Sequence, residues 1–365
     1  MYFDRRSTGP GVHALVVGVG RYPHLTGALA YDGHGDLTSP PVSAVEFARF
    51  VADESTAHWA APVATIDLLV SGADAGGMAL PYADASRANL QRAYDAWLRR
   101  CAEHEDNIGI FYFCGHGVQD RSQLLLTSDF GQSVNQPFSG AFDFDLTRQA
   151  LRQHGPATQC VFIDACRIPL TDAVMRLTGG ALPLGNPGLY DPDRCRFDLT
   201  VRAPMNERMT GPPRAVSYFT AALTRALNGQ AAEDEDDYGN WVVTNMNVIA
   251  KFSDIHQHVM GPERTAPSLD FGTRSASRVL RRLRRPPETA LSISCDPPSD
   301  DGRRFRCDGA DASFERAAAD GEPWELLAPA GVYKISADEE GVCRAGPLTV
   351  LALPPRRRVT LRPTT

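Results

Sequence analysis

Two short apolar runs, each ending in a reactive side chain, constrain this chain more than any other feature. FYFCGHG occupies residues 111–117 and VFIDACR residues 161–167. A buried parallel strand reads as an unbroken apolar run of this kind. In open α/β sheets the reactive groups gather beyond the carboxyl ends of such strands. Two neighbouring strands would therefore present His116 and Cys166, fifty positions apart, at one edge of a sheet. A thiol beside an imidazole is the layout of an activated nucleophile. Taken singly, a strand-end histidine is more often a hydrogen-bonded core residue, and a cysteine after an apolar run is more often inert. Their joint occurrence, in this order, reverses those odds.

The rest of the chain supplies the sheet. Strand patterns fall at residues 13–20, 64–70, 108–114, 160–165 and 197–202, and helical spacing at 42–53, 85–104, 146–154, 217–227 and 245–258. The longest helix carries Leu90, Tyr94, Trp97 and Leu98 at helical intervals. Alternation of strand and helix predicts an α/β domain with a mostly parallel sheet of about six strands flanked by helices. The VGVG at residues 17–20 lacks the spacing of a dinucleotide fingerprint. After the basic stretch RVLRRLRRPP (residues 278–287) come short alternating segments separated by turn signals, which predict a small C-terminal β-sandwich-like domain. The expected division is a catalytic domain over 1–277, a linker over 278–287 and an all-β accessory domain over 288–365. Residues 167–196 hold several prolines and glycines with no sustained period and read as one long loop.

Composition sets limits. A net charge of −7 argues against a general nucleic-acid binder. No stretch approaches the roughly 20 apolar residues of a membrane helix, and the first residues lack the apolar core of a secretion signal. A cytoplasmic protein with no membrane partner is expected. Eight cysteines in 365 residues do not make a disulfide scaffold. Cys101, Cys114 and Cys160 read as buried free thiols, while Cys295, Cys307 and Cys343 leave room for one bridge. No metal is expected: there is no CxxC pair, and the acidic run at residues 232–237 reads as a solvated loop without the spaced ligands of an EF-hand.

The two motifs resemble those of caspases and metacaspases, in which a Gly-His-Gly turn follows one strand and an Asp-Ala-Cys or Gln-Ala-Cys sequence the next. HALVVGVGRYP (residues 13–23) resembles the first strand of that clan and SYFTAALTRALNG (residues 217–229) the helix after its later strands. The resemblance covers roughly residues 10–275. It implies a cysteine endopeptidase acting on protein or peptide substrates, with Cys166 as nucleophile and His116 as base and then acid. It places the oxyanion donors at the backbone N–H groups of Gly117 and Cys166. Positions two apart on a strand share a face, so Asp164 points the same way as Cys166. Metacaspases carry Asp there and take Arg or Lys, which implies cleavage after Arg or Lys, since a carboxylate and a guanidinium pair selectively. Metacaspases supply a second acid before the first helix, where this chain places Ser43; Asp32 or Asp36 in the preceding loop would substitute. Some metacaspases need calcium, and nothing in the sequence supports a calcium site or another cofactor.

The resemblance also implies a zymogen, because the segment after the nucleophile is commonly cut or rearranged on activation. Arg176, Arg194 and Arg196 are then candidate processing sites for the enzyme itself or an upstream activating protease, and Arg281, Arg282, Arg284 and Arg285 candidates for release of the C-terminal domain. The predominance of Arg over Lys implies a GC-rich, prokaryotic source, where such proteins act in stress, cell-death or antiphage pathways. Two alternatives stand beside this reading: a catalytically silent scaffold that binds partners through its C-terminal module, and a cysteine hydrolase acting on a non-peptide acyl bond.

Overall fold

The structure is a computed structural model that describes residues 2–6, 8–25, 35–74, 78, 81–119, 121–169, 180–188, 195–202, 212–261, 270–274, 277–296, 304–316, 322–339 and 342–362. It divides into two compact units, residues 1–224 with 256–278 and residues 225–255 with 279–365.

The first unit is built on a seven-stranded sheet. Its strands are β1 (Phe3–Asp4), β2 (Val12–Val19), β3 (Val63–Ser71), β4 (Ile108–Gly115), β5 (Thr158–Ala165), β6 (Phe197–Arg202) and β7 (Asp270–Arg274), in the spatial order β1-β3-β2-β4-β5-β6-β7. The five inner strands run parallel, and only the edges β1 and β7 are antiparallel. Every residue of β2, β3, β4 and β5 is buried. Such continuous burial needs cover on both faces, which a parallel sheet receives from its crossover helices.

Side chains two apart share a face, so β4 and β5 each present two sets. One set includes Phe111, Phe113, Val161 and Ile163, which share a core with Trp97 of α2 (Arg87–Cys101) and Phe144 of α3 (Phe144–His154). The other set meets α1 (Ser39–Ala52) and α4 (Tyr218–Arg225): Phe47 stacks on Tyr112 at 4.5 Å and meets Phe162 edge-on at 5.9 Å, and Tyr112 and Thr220 share a 2.6 Å hydrogen bond. α1 opens with two prolines in its first turn, where no intrahelical N–H is lost. α3 is capped by Asp143, whose carboxylate accepts the Leu146 N–H at 2.8 Å.

Residues 167–196 differ from the single loop expected. Ile168–Pro169 is a short strand. Residues 180–188 are tied to the helices by side chains that grip the backbone: Gln91 donates to the Leu184 carbonyl at 2.7 Å, the Leu184 N–H donates to Thr147 at 2.9 Å, and Gln153 both donates to and accepts from Gly188. Leu184 itself is buried in the core. The period was absent from the sequence because the segment is held by side chains of other elements and not by its own ladder.

The second unit holds a β-sandwich. One sheet has Glu288–Cys295 between Trp324–Pro329 and Arg356–Leu361; the other runs Ser313–Arg316, Arg304–Gly309, Gly331–Glu339, Val342–Ala352. Leu291, Ile293, Phe305, Cys307, Tyr333, Ile335, Val350 and Val359 fill the space between them. Alternation of buried and exposed residues along Arg304–Gly309 is the signal the sequence carries. One expectation is corrected here. The basic stretch is not simply a linker: Val279–Leu283 is a strand paired with Trp241–Thr244, and Arg281 is fully buried. Cys307 is a buried free thiol. Cys101, Cys114 and Cys160 are buried and free, as expected.

Candidate active site

β4 and β5 pair in one constant register. Ile108 lies opposite Thr158, and the pairing runs on to Cys114 opposite Asp164 and Gly115 opposite Ala165. Past the ends of both strands the same offset resumes, with Val118 opposite Ile168 and Gln119 opposite Pro169 in a second, small sheet. The fifty-residue spacing is therefore the register itself. His116 and Cys166 occupy the step between the two sheets, each one residue beyond the last paired positions, Gly115 and Ala165. The small sheet continues through Gln123–Leu126 and Ala141–Asp143. Gly117 belongs to it for a packing reason. A Cβ there would stand 2.5 Å from the Cys166 carbonyl oxygen and 3.2 Å from Ala165 Cβ, so only glycine lets the two backbones come this close.

Both reactive side chains are nearly enclosed, His116 at 5% exposure and Cys166 at 9%. The Nε2 of His116 lies 2.7 Å from the Gly35 carbonyl, and its backbone N–H donates to the Tyr22 hydroxyl at 2.7 Å. A carbonyl only accepts, so Nε2 carries the proton and Nδ1 is the basic nitrogen. The Tyr22 ring packs against the imidazole at 4.7 Å. Burial keeps the Tyr22 phenol well above its ordinary pKa, so it stays neutral.

Asp164, two residues before Cys166, is 4% exposed. Its Oδ2 accepts from three donors: the Ser217 hydroxyl, the Thr220 hydroxyl at 3.1 Å and the Cys114 thiol at 3.3 Å. Among the described residues no hydrogen bond to Oδ1 is formed. Burial raises the carboxyl above its ordinary value, and the three donors only partly offset it. Burial, followed by the neighbouring carboxylate, pushes the Cys114 thiol well up, so it remains a donor. Ser217 is the hub of this cluster: its Oγ also accepts the Thr220 N–H at 3.1 Å, capping α4, and its own N–H donates to Ser43 Oγ at 3.0 Å.

The other expected residues fall at separate places. Ser43 is fully buried and joins the Asp164 cluster through Ser217, whose N–H its Oγ accepts, and through the Cys114 thiol. Asp36 accepts the Tyr22 N–H on Oδ1 at 2.7 Å, so it braces the loop that holds His116. Arg196 is exposed, but its N–H donates to the Ala157 carbonyl at 3.0 Å directly before β6. Asp32, Arg176 and Arg194 lie outside the described residues. The acidic run contributes a hairpin strand, Asp234–Glu235; Asp236 is committed to the N–H groups of Tyr238 and Asn240 and to Arg282 at 3.1 Å. Sequence reasoning missed Tyr22, Gly35, Ser217 and Thr220. The Ser-x-x-Thr opening of α4 was a legible cap, but nothing local to it announced a carboxylate partner.

The family model Peptidase_C14, the caspase domain, matches residues 12–251. An uncharacterized protein of Sinorhizobium fredii, y4kE, is 28% identical over 188 residues, 51% of this chain and 54% of that protein. The chain thus spans about half the length of that curated relative. Among solved structures, protein GSU0716 of Geobacter sulfurreducens gives a TM-score of 0.43 at 16% identity, covering 73% of this chain and 94% of that one. Caspase-1 of Spodoptera frugiperda gives 0.40 at 10% identity, covering 75% and 92%.

Proposed function

Because the chain belongs to the caspase-domain family of cysteine peptidases, we propose that it is an endopeptidase using His116 and Cys166 to cleave after Arg or Lys. The observation that carries this reading is the shared register that sets the imidazole strand-end against the thiol strand-end. In the proposed reaction, His116 Nδ1 takes the Cys166 proton and the sulfur adds to the scissile carbonyl. The N–H groups of Gly117 and Cys166 receive the negative oxygen; one such donor contributes roughly 100-fold or more in rate. The imidazolium then protonates the leaving amine, and water activated by the same nitrogen hydrolyses the thioester.

Selection of a basic residue rests on Asp164. Its Oδ2 is committed to three donors while Oδ1 takes none of them, which leaves one carboxylate oxygen for a guanidinium or ammonium group. Ser43, Cys114, Ser217 and Thr220 are neutral, so Asp164 is the one acid of this cluster. Activation by cutting within residues 167–196, and a role in a prokaryotic stress, cell-death or antiphage pathway, extend the same proposal.

Fluorogenic peptides ending in Arg, Lys, Asp or Leu, given to wild type and Cys166→Ala before and after limited proteolysis, test it. Cleavage after Arg or Lys that vanishes in Cys166→Ala is the expected result. Cleavage after Asp would overturn the role of Asp164, and activity retained by Cys166→Ala would overturn the nucleophile.

A further inference from the structure

The contacts around His116 close into a circuit. Its Nε2–H donates to the Gly35 carbonyl and its backbone N–H to the Tyr22 hydroxyl, each at 2.7 Å. The Tyr22 backbone N–H donates to Asp36 Oδ1, again at 2.7 Å, and Asp36 is joined to Gly35 by the peptide bond. Tyr22 cannot drift within this circuit. Its side chain is 3% exposed, its ring lies 4.7 Å from the imidazole, and a Cβ at Gly115 would stand 2.7 Å from its hydroxyl. Asp36 is exposed on its other side, where it borders a cavity of about 540 Å³ shared with Arg21, Asp74, Asp84 and Arg214.

We propose that Tyr22 and Asp36 are positioning residues for His116, and that Asp36 serves the histidine and not the substrate. Tyr22 fixes the backbone of His116 from one side. Asp36 fixes the backbone of Tyr22 and, through its own peptide bond, the Gly35 carbonyl that selects the Nε2–H tautomer. The kinetic consequence rests on the peptidase reading; the tautomer does not. A carboxylate is not needed for this task. An acceptor oxygen at Oδ1 is enough, and Asn supplies one.

The test is ¹⁵N spectroscopy of histidine-labelled full-length protein, with the His116 resonances assigned by their loss in His116→Gln. Wild type and Asp36→Asn are expected to hold the Nε2–H tautomer at neutral pH, whereas Tyr22→Phe and Asp36→Ala mix the two tautomers. In peptide hydrolysis, Tyr22→Phe and Asp36→Ala are expected to lose roughly 10- to 100-fold in kcat with KM within about threefold, and Asp36→Asn to match wild type. An unchanged tautomer in both Tyr22→Phe and Asp36→Ala would overturn the proposal. So would Asp36→Asn failing as Asp36→Ala does, since charge and not the acceptor would then matter. If Asp36→Ala does not fold, Tyr22→Phe decides alone, because it removes a single oxygen. If wild type cleaves no peptide, the peptidase reading falls and the tautomer still decides this one.

Discussion

Asp164 is a residue whose proposed function and whose stability pull in opposite directions. Burial raises its carboxyl pKa in the folded protein, so the native state holds the proton more tightly than the unfolded chain. Its stabilising contribution is fully present below the unfolded value of about 3.8 and is lost as pH rises through the raised one. Asp164→Asn escapes that loss. Thermal melts from pH 4 to 8 should show the Tm of Asp164→Asn gaining on wild type as pH rises. The same variant should lose at least about 100-fold in cleavage after Arg, because a buried cation left without its partner is costly. For wild type, kcat/KM on Arg peptides should climb as Asp164 loses its proton, while any slow cleavage after Leu should not share that limb. At this scale the strand-end placement of His116, Cys166 and Asp164 was legible because each ends or precedes the end of an apolar run. The sequence could not show Ser217, Thr220 or Tyr22 as partners, since each reaches the site from a distant segment.

The strands were legible where burial is continuous, as along Ile108–Gly115 and Thr158–Ala165. The two-residue strand Ile168–Pro169 was not, because a pairing that short has no period to read, yet it extends the register past Cys166. Residues 180–188 make the same point about a segment without any ladder. Leu184 anchors them at 3% exposure, with its N–H and carbonyl both gripped by helix side chains. Leu184→Ala should cost about 2–5 kcal/mol, the range for a buried leucine whose site cannot fully collapse. Denaturant melts of Leu184→Ala against wild type measure it. A change below 0.5 kcal/mol, the scale of an ordinary surface substitution, would mean that the segment is not anchored in solution.

At the scale of the whole molecule, the β-sandwich was visible in alternating side chains, while the division of the chain was not. A run of arginines ending in two prolines looks like a boundary, but the ladder between Val279–Leu283 and Trp241–Thr244 makes it part of a compact unit. Buried histidines set the acid response. His13 and His256 are both lowered from 6.5 to about 4, burial being the first cause in each. The unfolded chain therefore binds protons that the folded one refuses. Their stabilising contribution is present above pH 6.5 and lost as pH falls towards 4. Among the described residues these two histidines act against the opposing shift of Asp164, so Tm should drop across that window, and a flat profile would contradict the burial of these rings.

The central claim is that Cys166, activated by His116, is a nucleophile aimed at a basic residue. The most direct measurement is covalent capture: a peptidyl ketone with Arg beside the reactive carbon, incubated with wild type, Cys166→Ala and His116→Ala, followed by intact mass and peptide mapping. The account predicts one adduct on Cys166 of wild type, none on Cys166→Ala, much slower labelling of His116→Ala, and faster capture by the Arg probe than by its Leu or Asp counterparts. Labelling of another cysteine, or equal capture of all three probes, would contradict it.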